Sequence, residues 1–287
     1  MKILVTGGAG FIGSNLIKNL LYKYLDIYII SIDNYSTGTE KNHINSKNVN
    51  YINCNTWDIF KHEEIMLFEP KYIFHFGEYS RIVQSFEEPS KVFLSNSFGT
   101  QQILEYTVLK KSKLIYSGSS AIFGDEGNED LNPYVFTKSK NIELIHNYKN
   151  WFDLNFAICY FYNVYGSGQI CEGNYATVIG IFENQYKNNK DLTVVYPGTQ
   201  TRIFTHIDDI VSGILLISEK GSGDGYYLGT KKNISILEVA DMFGKNYVFI
   251  ESKIGERKNS VLKENKAETE LGWVAKIQLE DYINKIK

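Results

Sequence analysis

The stretch Lys2-Ile-Leu-Val-Thr-Gly-Gly-Ala-Gly-Phe-Ile-Gly13 decides the fold class. Its apolar run at residues 3–5 predicts a strand that is buried on both faces. Glycines follow at positions 7, 8, 10 and 13, and apolar residues at 12, 16, 17, 20, 21 and 24 then recur at helical spacing. The stretch therefore predicts a strand, a glycine turn and a helix in succession.

The glycine spacing satisfies G-x-x-G-x-x-G from Gly7 and G-x-G-x-x-G from Gly8. Glycine permits a tight turn, and its missing Cβ lets a pyrophosphate approach the backbone. The following helix N-terminus offers free N–H groups and the positive end of its dipole. An ordinary strand–helix turn can carry the same glycines. We assign the dinucleotide-binding role to Gly7, Gly10, Phe11, Ile12 and Gly13.

A carboxylate strengthens this assignment. The second apolar run, residues 28–32, ends at Asp33, twenty residues after Gly13. A carboxylate at the end of the second strand accepts hydrogen bonds from both ribose hydroxyls of an adenosine and repels a 2′-phosphate. The sequence therefore favours NAD over NADP, with a solvated strand-end aspartate as the alternative.

Composition excludes several classes of protein. The 287 residues, 43% hydrophobic, suffice for one large α/β domain or two small ones. A net charge of −3 argues against a nucleic-acid partner. No apolar run approaches the ~20 residues of a membrane span, and the chain enters a strand without a signal-peptide pattern. We expect a cytoplasmic protein.

Cysteine and histidine usage predicts no metal site. The three cysteines, Cys54, Cys159 and Cys171, are odd in number and scattered, which is typical of free thiols in a reducing compartment. The five histidines lack metal-ligand spacing.

Strands and helices alternate along the first part of the chain. Further strands are predicted at 51–53, 72–76, 113–117 and 155–162. Helices are predicted at 61–68, at 90–109 with Ser90 as N-cap, and from Pro133 to about 149. This order predicts an α/β fold with a Rossmann-type, doubly wound parallel sheet.

After residue 166 the predicted loops become longer, and strand-like segments are mixed with helices. We predict an NAD-binding Rossmann domain over residues 1–166 and a smaller, discontinuous C-terminal substrate lobe over 167–287, with some return of chain to the Rossmann body. Strand-like pieces at 192–195, 225–228 and 247–251 are assigned to this lobe. A C-terminal helix at 279–286 is expected to pack onto the body.

Candidate catalytic residues follow the fifth strand, which ends in serines. The next helix carries Tyr134 and Lys138, four residues apart and therefore on one face. A free tyrosine titrates near pH 10, and a nearby ammonium favours its phenolate. The pair therefore makes a usable base or acid for a sugar hydroxyl, which Ser119 can also hydrogen-bond. A solvated helix face is the alternative interpretation.

Arginine is rare in this chain. Of 30 basic residues only Arg81, Arg202 and Arg257 are arginines. Where lysine serves most cationic positions, arginine is expected where a planar, bidentate fork is needed, as at a phosphate. For any single arginine, the alternative is that its position is due to chance.

The chain resembles the extended short-chain dehydrogenases/reductases, in the NAD-dependent nucleotide-sugar epimerase and dehydratase branch, over nearly its whole length. The resemblance is carried by Thr6-Gly-Gly-Ala-Gly-Phe-Ile-Gly13, Asp33-Asn-Tyr-Ser-Thr-Gly38, Asp58-Ile59, His75-Phe76-Gly77, Asn96 with Gly99-Thr100, residues 117–124, Tyr134-x-x-x-Lys138, Tyr162-Asn-Val-Tyr-Gly166, residues 201–206 and Gly255-Glu256-Arg257.

The resemblance implies NAD in the first half and an NDP-sugar in the second, with UDP or GDP the favoured nucleotides. Tyr134 would take the 4-hydroxyl proton while hydride moves from C4 to the nicotinamide, and Lys138 would also bond the nicotinamide ribose. It implies a homodimer built on helices 90–109 and 133–149. Further cofactor contacts are assigned to Asn34, Asp58, Ile59, Phe76, Gly77 and Asn96, and phosphate contacts to Asn163, Arg202 and Arg257.

Several positions depart from the family pattern. Ser119-Ser120-Ala121 stands where dehydratases of this branch carry Thr-Asp-Glu, so 4,6-dehydration is not expected. Glu78 and Arg81 stand where epimerases carry small or apolar residues, and both are candidates for substrate binding together with Ser119 and Ser120. Of two interpretations of Arg81, pairing with Glu78 is favoured over reaching the sugar or a second anion. Phe123, Tyr160 and Ile203 replace the usual Tyr, Arg and Asp.

The sequence leaves three functions open. The first is an NDP-sugar 4-epimerase, the second an NDP-sugar 4-dehydrogenase with tightly held NAD. The third is a catalytically silent NAD-binding scaffold or sensor, against which the intact Ser119, Tyr134 and Lys138 count. The sugar is left open among a hexose, an N-acetylhexosamine and a heptose.

Overall fold

A computed structural model describes residues 1–123, 132–252, 259–263 and 265–287. Its strands are β1 (Lys2–Thr6), β2 (Tyr28–Asp33), β3 (Val49–Asn53), β4 (Tyr72–His75), β5 (Lys113–Ser119), β6 (Asn155–Phe161), β7 (Val164–Tyr165), β8 (Leu192–Val195), β9 (Thr201–Ile203), β10 (Thr205–His206), β11 (Gly223–Leu228), β12 (Asn233–Ser235) and β13 (Tyr247–Ile250).

The helices alternate with these strands through most of the chain. They are α1 (Phe11–Lys23), α2 (Glu63–Leu67), α3 (Ile82–Glu87), α4 (Pro89–Val92), α5 (Gly99–Lys110), α6 (Pro133–Phe152), α7 (Val178–Lys187), α8 (Ile207–Lys220), α9 (Ile236–Phe243), α10 (Lys266–Thr269) and α11 (Leu279–Ile286). None of the helices in these described ranges has the length and apolar character needed to cross a bilayer.

Seven parallel strands form the main sheet in the order β3-β2-β1-β4-β5-β6-β11. Strand order reverses beside β1, because β2 and β4 lie on its two sides. Ligands of open α/β sheets bind beyond the carboxyl ends of the strands at such a point. The predicted α/β, Rossmann-type sheet is confirmed.

Strand β1 explains why both faces of the sheet are covered. Ile3 and Val5 pack into one buried cluster with α1 and α8, whereas Leu4 points into the opposite cluster with α5 and α6. All three side chains are fully buried. Because alternate residues of a strand face opposite sides, an unbroken apolar run requires helices on both faces.

A third buried cluster organises the smaller lobe. It gathers side chains of α7, α9, β8 and α11, with Phe182, Phe243 and Leu279 among its members. Helix α11 therefore packs against α9 in this lobe, and the expectation that it packs onto the main body is corrected.

Two further predictions need correction. Strand β11, assigned to the smaller lobe from residues 225–228, is the edge strand of the main sheet and pairs with β6. The helix predicted at 90–109 begins at Pro89 and is interrupted by a π-helical segment, Phe93–Phe98, before α5. Proline fits the first helical position because its missing N–H needs no partner there, so Ser90 lies inside α4 and is not its N-cap.

Candidate active site

A cavity of about 350 Å³ opens at the carboxyl edge of the sheet, at the exits of β1, β2, β4, β5 and β6. Chain segments far apart in sequence meet here because parallel strands end at one edge. The sequence-assigned residues that line it are Gly7, Gly10, Phe11, Ile12, Gly13, Asp33, Asn34, Phe76, Gly77, Glu78, Arg81, Ser119, Ser120, Tyr134, Lys138 and Asn163.

The turn after β1 has no room for side chains. Gly7 adopts a φ of +71°, and a Cβ there would lie 2.8 Å from backbone atoms of Phe76 and Gly77. A Cβ on Gly13 would lie 2.2 Å from the carbonyl oxygen of Gly7. The glycines therefore keep the turn tight against the start of α1, which leaves that helix N-terminus available to an anion.

Asp33 is oriented by the backbone around it. Its Oδ2 accepts from the Ala9 N–H at 3.0 Å and its Oδ1 from the Tyr35 N–H at 2.9 Å. Burial raises the pKa of Asp33 above its usual value. An ionised carboxylate offers about four acceptor sites, so two remain for a pair of ribose hydroxyls. The glycine turn and Asp33 together fit the pyrophosphate and adenosine of NAD.

Three residues assigned to the cofactor lie outside the cavity walls. Asp58 pairs with Lys61 at 2.6 Å, and Ile59 is fully buried in the core. The Asn96 amide oxygen accepts from the Tyr79 N–H at 2.7 Å, so this side chain anchors the loop after β4. Cys54 and Thr56 line the cavity in the region expected for Asp58 and Ile59.

The candidate catalytic residues come from β5 and from the first turns of α6. Asn132 caps this helix by accepting from the Val135 N–H at 2.9 Å, and Pro133 occupies its first position. The cap fixes the start of α6, so Tyr134 and Lys138 both line the cavity. Ser119 lies at the end of β5 and accepts from the Ala121 N–H at 3.2 Å.

Lys138 is held by two partners that also line the cavity. Its ammonium donates to the Ser117 carbonyl at 2.6 Å and forms an ion pair with Glu78. The two side chains are 5% and 2% exposed, so the pair is buried. Sequence reasoning did not predict this pair.

Glu78 accepts hydrogen bonds from four side chains. Oε1 accepts from the Tyr116 hydroxyl and the Asn141 amide, both at 2.9 Å, and from the Thr100 hydroxyl at 3.1 Å, while Oε2 accepts from Lys138. Burial and the Glu78 charge raise the pKa of Tyr116 well above its usual value, which keeps the phenol protonated as a donor. These bonds match the acceptor capacity of an ionised carboxylate.

A chain of hydrogen bonds connects this carboxylate to the glycine turn. Thr6 Oγ1 accepts from the Gly77 N–H at 2.8 Å and lies 2.7 Å from His75 Nδ1, and His75 Nε2 lies 2.9 Å from Thr100 Oγ1. Burial lowers the pKa of His75 to about 4. A neutral ring that accepts at Nδ1 and donates at Nε2 leaves the Thr100 hydroxyl free to donate to Glu78.

The favoured interpretation of Arg81 is wrong. Arg81 does not pair with Glu78, because Lys138 and three neutral donors occupy that carboxylate. The Arg81 guanidinium donates through Nε, at 3.0 Å, and through Nη2 to the Tyr175 carbonyl, and through Nη1 to the Ser80 carbonyl at 2.9 Å. These bonds join the loop after β4 to the segment before α7.

A second cavity, also about 350 Å³, adjoins the first. Asn163, Val164 and Thr177 line both cavities, whereas Arg202 lines only the second. The Asn163 amide donates to the Ile203 carbonyl at 3.1 Å, which joins the end of the main sheet to β9. Arg257, the third arginine, lies outside the described residues.

The comparisons with known proteins agree with this geometry. The model of the "NAD dependent epimerase/dehydratase family" matches residues 3–229. The chain therefore belongs to this family, whose members are NAD-dependent enzymes. Membership of the family confirms the predicted cofactor, NAD.

Individual relatives carry more specific names. A putative UDP-glucose 4-epimerase of Methanocaldococcus jannaschii is 30% identical, over 99% of this chain and 96% of its own length. The structure of a Thermotoga maritima UDP-glucose 4-epimerase with UDP-glucose has a TM-score of 0.91 at 26% identity, covering 99% and 96% of the two chains. That of a Bacillus cereus UDP-glucuronic acid 4-epimerase with UDP-glucuronic acid and NAD has a TM-score of 0.87 at 28% identity, covering 100% of both.

Two of the four residues that bind Glu78, Asn141 and Tyr116, are not among those that the sequence analysis names. Asn141 lies three residues after Lys138 and seven after Tyr134, which is one helix face. That spacing was a usable signal. Tyr116 had none, because an aromatic residue in an apolar strand reads as core.

Asp33→Ala should reduce the preference for NAD over NADP at least tenfold. The substitution removes bonds to a charged acceptor worth ~1.5–3 kcal/mol each and also removes the repulsion of a 2′-phosphate. Calorimetric titration with both dinucleotides measures the preference, with the exposed Asp26→Ala as control. An unchanged NAD-to-NADP ratio would show that Asp33 is not the ribose ligand.

His75 should make the protein less stable in mild acid. The unfolded chain takes up a proton on this residue near pH 6.5, but the native chain resists it down to about 4. Stability therefore falls as the pH drops through this window, by about 2 kcal/mol at pH 5. Urea unfolding at pH 7 and pH 5 should show a smaller loss for His75→Gln than for the wild type or His62→Gln. Equal losses would contradict a neutral, buried His75.

Proposed function

We propose that this protein is an NAD-dependent NDP-sugar 4-epimerase that acts by transient oxidation at C4. The observation that carries the proposal is the shared cavity. Tyr134 and Ser119 line it together with Asp33 and the glycine turn. A proton acceptor, a hydroxyl that orients the sugar and a dinucleotide cradle therefore lie within reach of one ligand pair.

In this proposal Tyr134 takes the proton of the sugar 4-hydroxyl, and the Ser119 hydroxyl orients the same oxygen. NAD, when bound, supplies the hydride acceptor for C4 and later the hydride donor. The keto sugar turns within the cavity before the hydride returns, and Tyr134 gives its proton back. The configuration at C4 is then inverted.

The carboxylates of the cavity support epimerisation over dehydration. Elimination of water across C5 and C6 needs an acid and a base beside the sugar. Among the described lining residues the carboxylates are Asp33 and Glu78. Asp33 is at the adenosine end of the cavity, and Glu78 is engaged by Lys138 and three other donors. Ser120 and Ala121, which follow Ser119 in the cavity wall, are not acids.

The substrate proposed is an NDP-sugar with its sugar in the first cavity and its nucleotide in the second. Arg202 in the second cavity offers a guanidinium to the diphosphate, and Asn163 lies where the two cavities meet. UDP is the favoured nucleotide because both structural relatives described above carry UDP-sugars. This proposal includes the division of the chain into an NAD-binding part, residues 1–166, and a part that mainly binds substrate, residues 167–287. It also includes a phosphate contact from Arg257.

Tyr134→Phe should lower epimerase turnover by ~10²–10⁴-fold with NAD still bound, because it removes only the phenol oxygen. Purified protein is incubated with a panel of UDP- and GDP-sugars, and NMR reports the configuration at C4. Tyr22→Phe makes the same change on an exposed side chain and serves as control.

Other outcomes of this assay discriminate the alternatives. A stable 4-keto sugar with NADH would indicate the 4-dehydrogenase. Loss of water to a 4-keto-6-deoxy sugar would overturn the epimerase proposal, as would full activity of Tyr134→Phe. Bound NAD without turnover of any sugar would favour the silent scaffold.

We also propose a homodimer built on the helical region 90–109 and on α6. Phe93, Leu94 and Phe98 are exposed on the π-helical segment, and Trp151 and Phe152 are exposed at the end of α6. Exposed apolar side chains at both ends of this helical region favour an interface over a fully solvated face. A second copy of the chain would cover them.

Sedimentation should therefore give about twice the 32.9 kDa chain mass. Phe98→Glu should shift the protein toward the monomer because it places a charge in the contact, whereas Leu25→Glu, on an exposed side chain elsewhere, should not. A wild-type protein that sediments as a monomer would refute the dimer.

The cytoplasmic location also stays a proposal. Cys54, Cys159 and Cys171 are all free thiols in the structure. Free thiols are typical of a reducing compartment, which supports the expectation drawn from the sequence.

A further inference from the structure

Glu78 is a buried carboxylate in the wall of the first cavity. Its side chain is 2% exposed, and besides Lys138 it is held by neutral donors from three elements: Thr100 on α5, Tyr116 on β5 and Asn141 on α6. Hydrogen bonds from several donors hold a carboxylate in its ionised form. Glu78 is therefore a fixed negative charge in a part of the protein where water screens it little.

One side chain connects Glu78 to the expected position of the nicotinamide ribose. The Lys138 ammonium donates to Glu78 and, at 2.6 Å, to the Ser117 carbonyl. An ammonium has three N–H groups, so one remains. The resemblance to the family assigns the nicotinamide ribose to Lys138, and the remaining N–H is available for that contact. The carboxylate of Glu78 then lies one hydrogen bond further from the ribose than the ammonium does.

The nicotinamide ring belongs to the same part of the cavity. Hydride transfer from C4 requires the ring beside the carbon whose hydroxyl Tyr134 binds, and Tyr134 and Lys138 lie on one face of α6. Two carboxylates are found among the described lining residues, Asp33 and Glu78. Asp33 is at the adenosine end, so Glu78 is the one of these two that acts on the nicotinamide.

The charge of the nicotinamide ring differs between the two forms of the cofactor. The ring is positive in NAD and neutral in NADH, whereas the adenosine, the pyrophosphate and both riboses are the same in the two. A fixed negative charge near the ring therefore stabilises the oxidised form relative to the reduced form. Contacts with the unchanged parts of the cofactor cancel when the two affinities are compared.

We propose that Glu78 biases the bound cofactor toward its oxidised form. Its charge favours return of the hydride to the 4-keto sugar over retention of the hydride as NADH, which is what an epimerase requires and a 4-dehydrogenase does not. Lys138 keeps its contact with the ribose and its place beside Tyr134. Glu78 acts through its charge and takes no part in proton or hydride transfer. The proposal rests on the proposed function, which places the nicotinamide beside Tyr134.

The test compares the affinities of the two forms of the cofactor without a sugar. Wild type and Glu78→Gln, each freed of bound nucleotide, are titrated calorimetrically with NAD and with NADH at pH 6.5, where lysine ammonium groups are charged. Glu78→Gln removes the charge and keeps the shape, so it should lower the preference for NAD over NADH roughly tenfold or more. A tenfold change corresponds to about 30 mV in the two-electron potential of the bound cofactor.

Tyr116→Phe is the matched control for a structural role of Glu78. It removes a neutral hydrogen bond to the same carboxylate and leaves the charge in place. It should therefore lower the free energy of unfolding without changing the ratio of the NAD and NADH affinities. Glu87→Gln removes an exposed carboxylate from nearby α3 and should leave this ratio unchanged as well.

Glu78→Ala is a second variant without the charge. It introduces the kind of small residue that epimerases of the family carry at this position, and it decides the proposal where Glu78→Gln does not fold. A wild-type ratio of the two affinities in either folded variant would overturn the proposal, including where both affinities fall together, since a parallel fall is what a structural role predicts.

The two proposals fail separately. Full turnover by Tyr134→Phe would refute the base assigned under the proposed function, whatever the affinities for NAD and NADH. An unchanged affinity ratio in folded Glu78→Gln would refute the role of Glu78 even where Tyr134→Phe abolishes turnover.

Discussion

The backbone contact between two loops is the constraint on which the site depends. The turn after β1 packs directly on the loop after β4, where Gly7 leaves no room for a side chain against Phe76 and Gly77. Thr6 locks this contact by accepting from two N–H groups of the second loop. The same two loops provide the proposed phosphate cradle and the carboxylate of Glu78, so the proposed cofactor site and the helix that carries Tyr134 share one support.

The buried ion pair of Glu78 and Lys138 extends this support to α6. Removing two charges from water is costly, and three neutral hydrogen bonds to Glu78, in addition to the ion pair, compensate for that cost. Loss of one partner from such a pair typically costs about 3–5 kcal/mol, because the other charge stays buried. Asn141 binds both Glu78 and the Asn96 carbonyl, which ties α6 to the π-helical segment as well. The polar contacts of Lys138 and Asn141, which lie on the same face of α6 as Tyr134, thus help to position Tyr134.

The second lobe completes the site from the other direction. Thr177 precedes α7, and Asn163 follows β6, yet both border the two adjoining cavities. Arg81 reaches the same lobe through the Tyr175 carbonyl. A ligand that spans both cavities would therefore contact two sets of loops. One set is anchored to the main sheet, and the other is anchored to the third buried cluster.

The sequence by itself determined the parallel sheet, the glycine turn and the places of Asp33, Ser119, Tyr134 and Lys138 at one edge. Apolar runs and glycine spacing are local patterns, and parallel strands place their carboxyl ends at one edge of the sheet, so these features follow from the sequence. Only the tertiary structure decided what Glu78 binds, because its four donors come from α5, β5 and α6. Separation along the chain does not predict which groups bind each other here. Arg81 is three residues from Glu78, yet it binds the carbonyl of Tyr175, which is 94 residues away. The partner of a buried charge is set by which groups are desolvated together, and that is known only once the chain has folded.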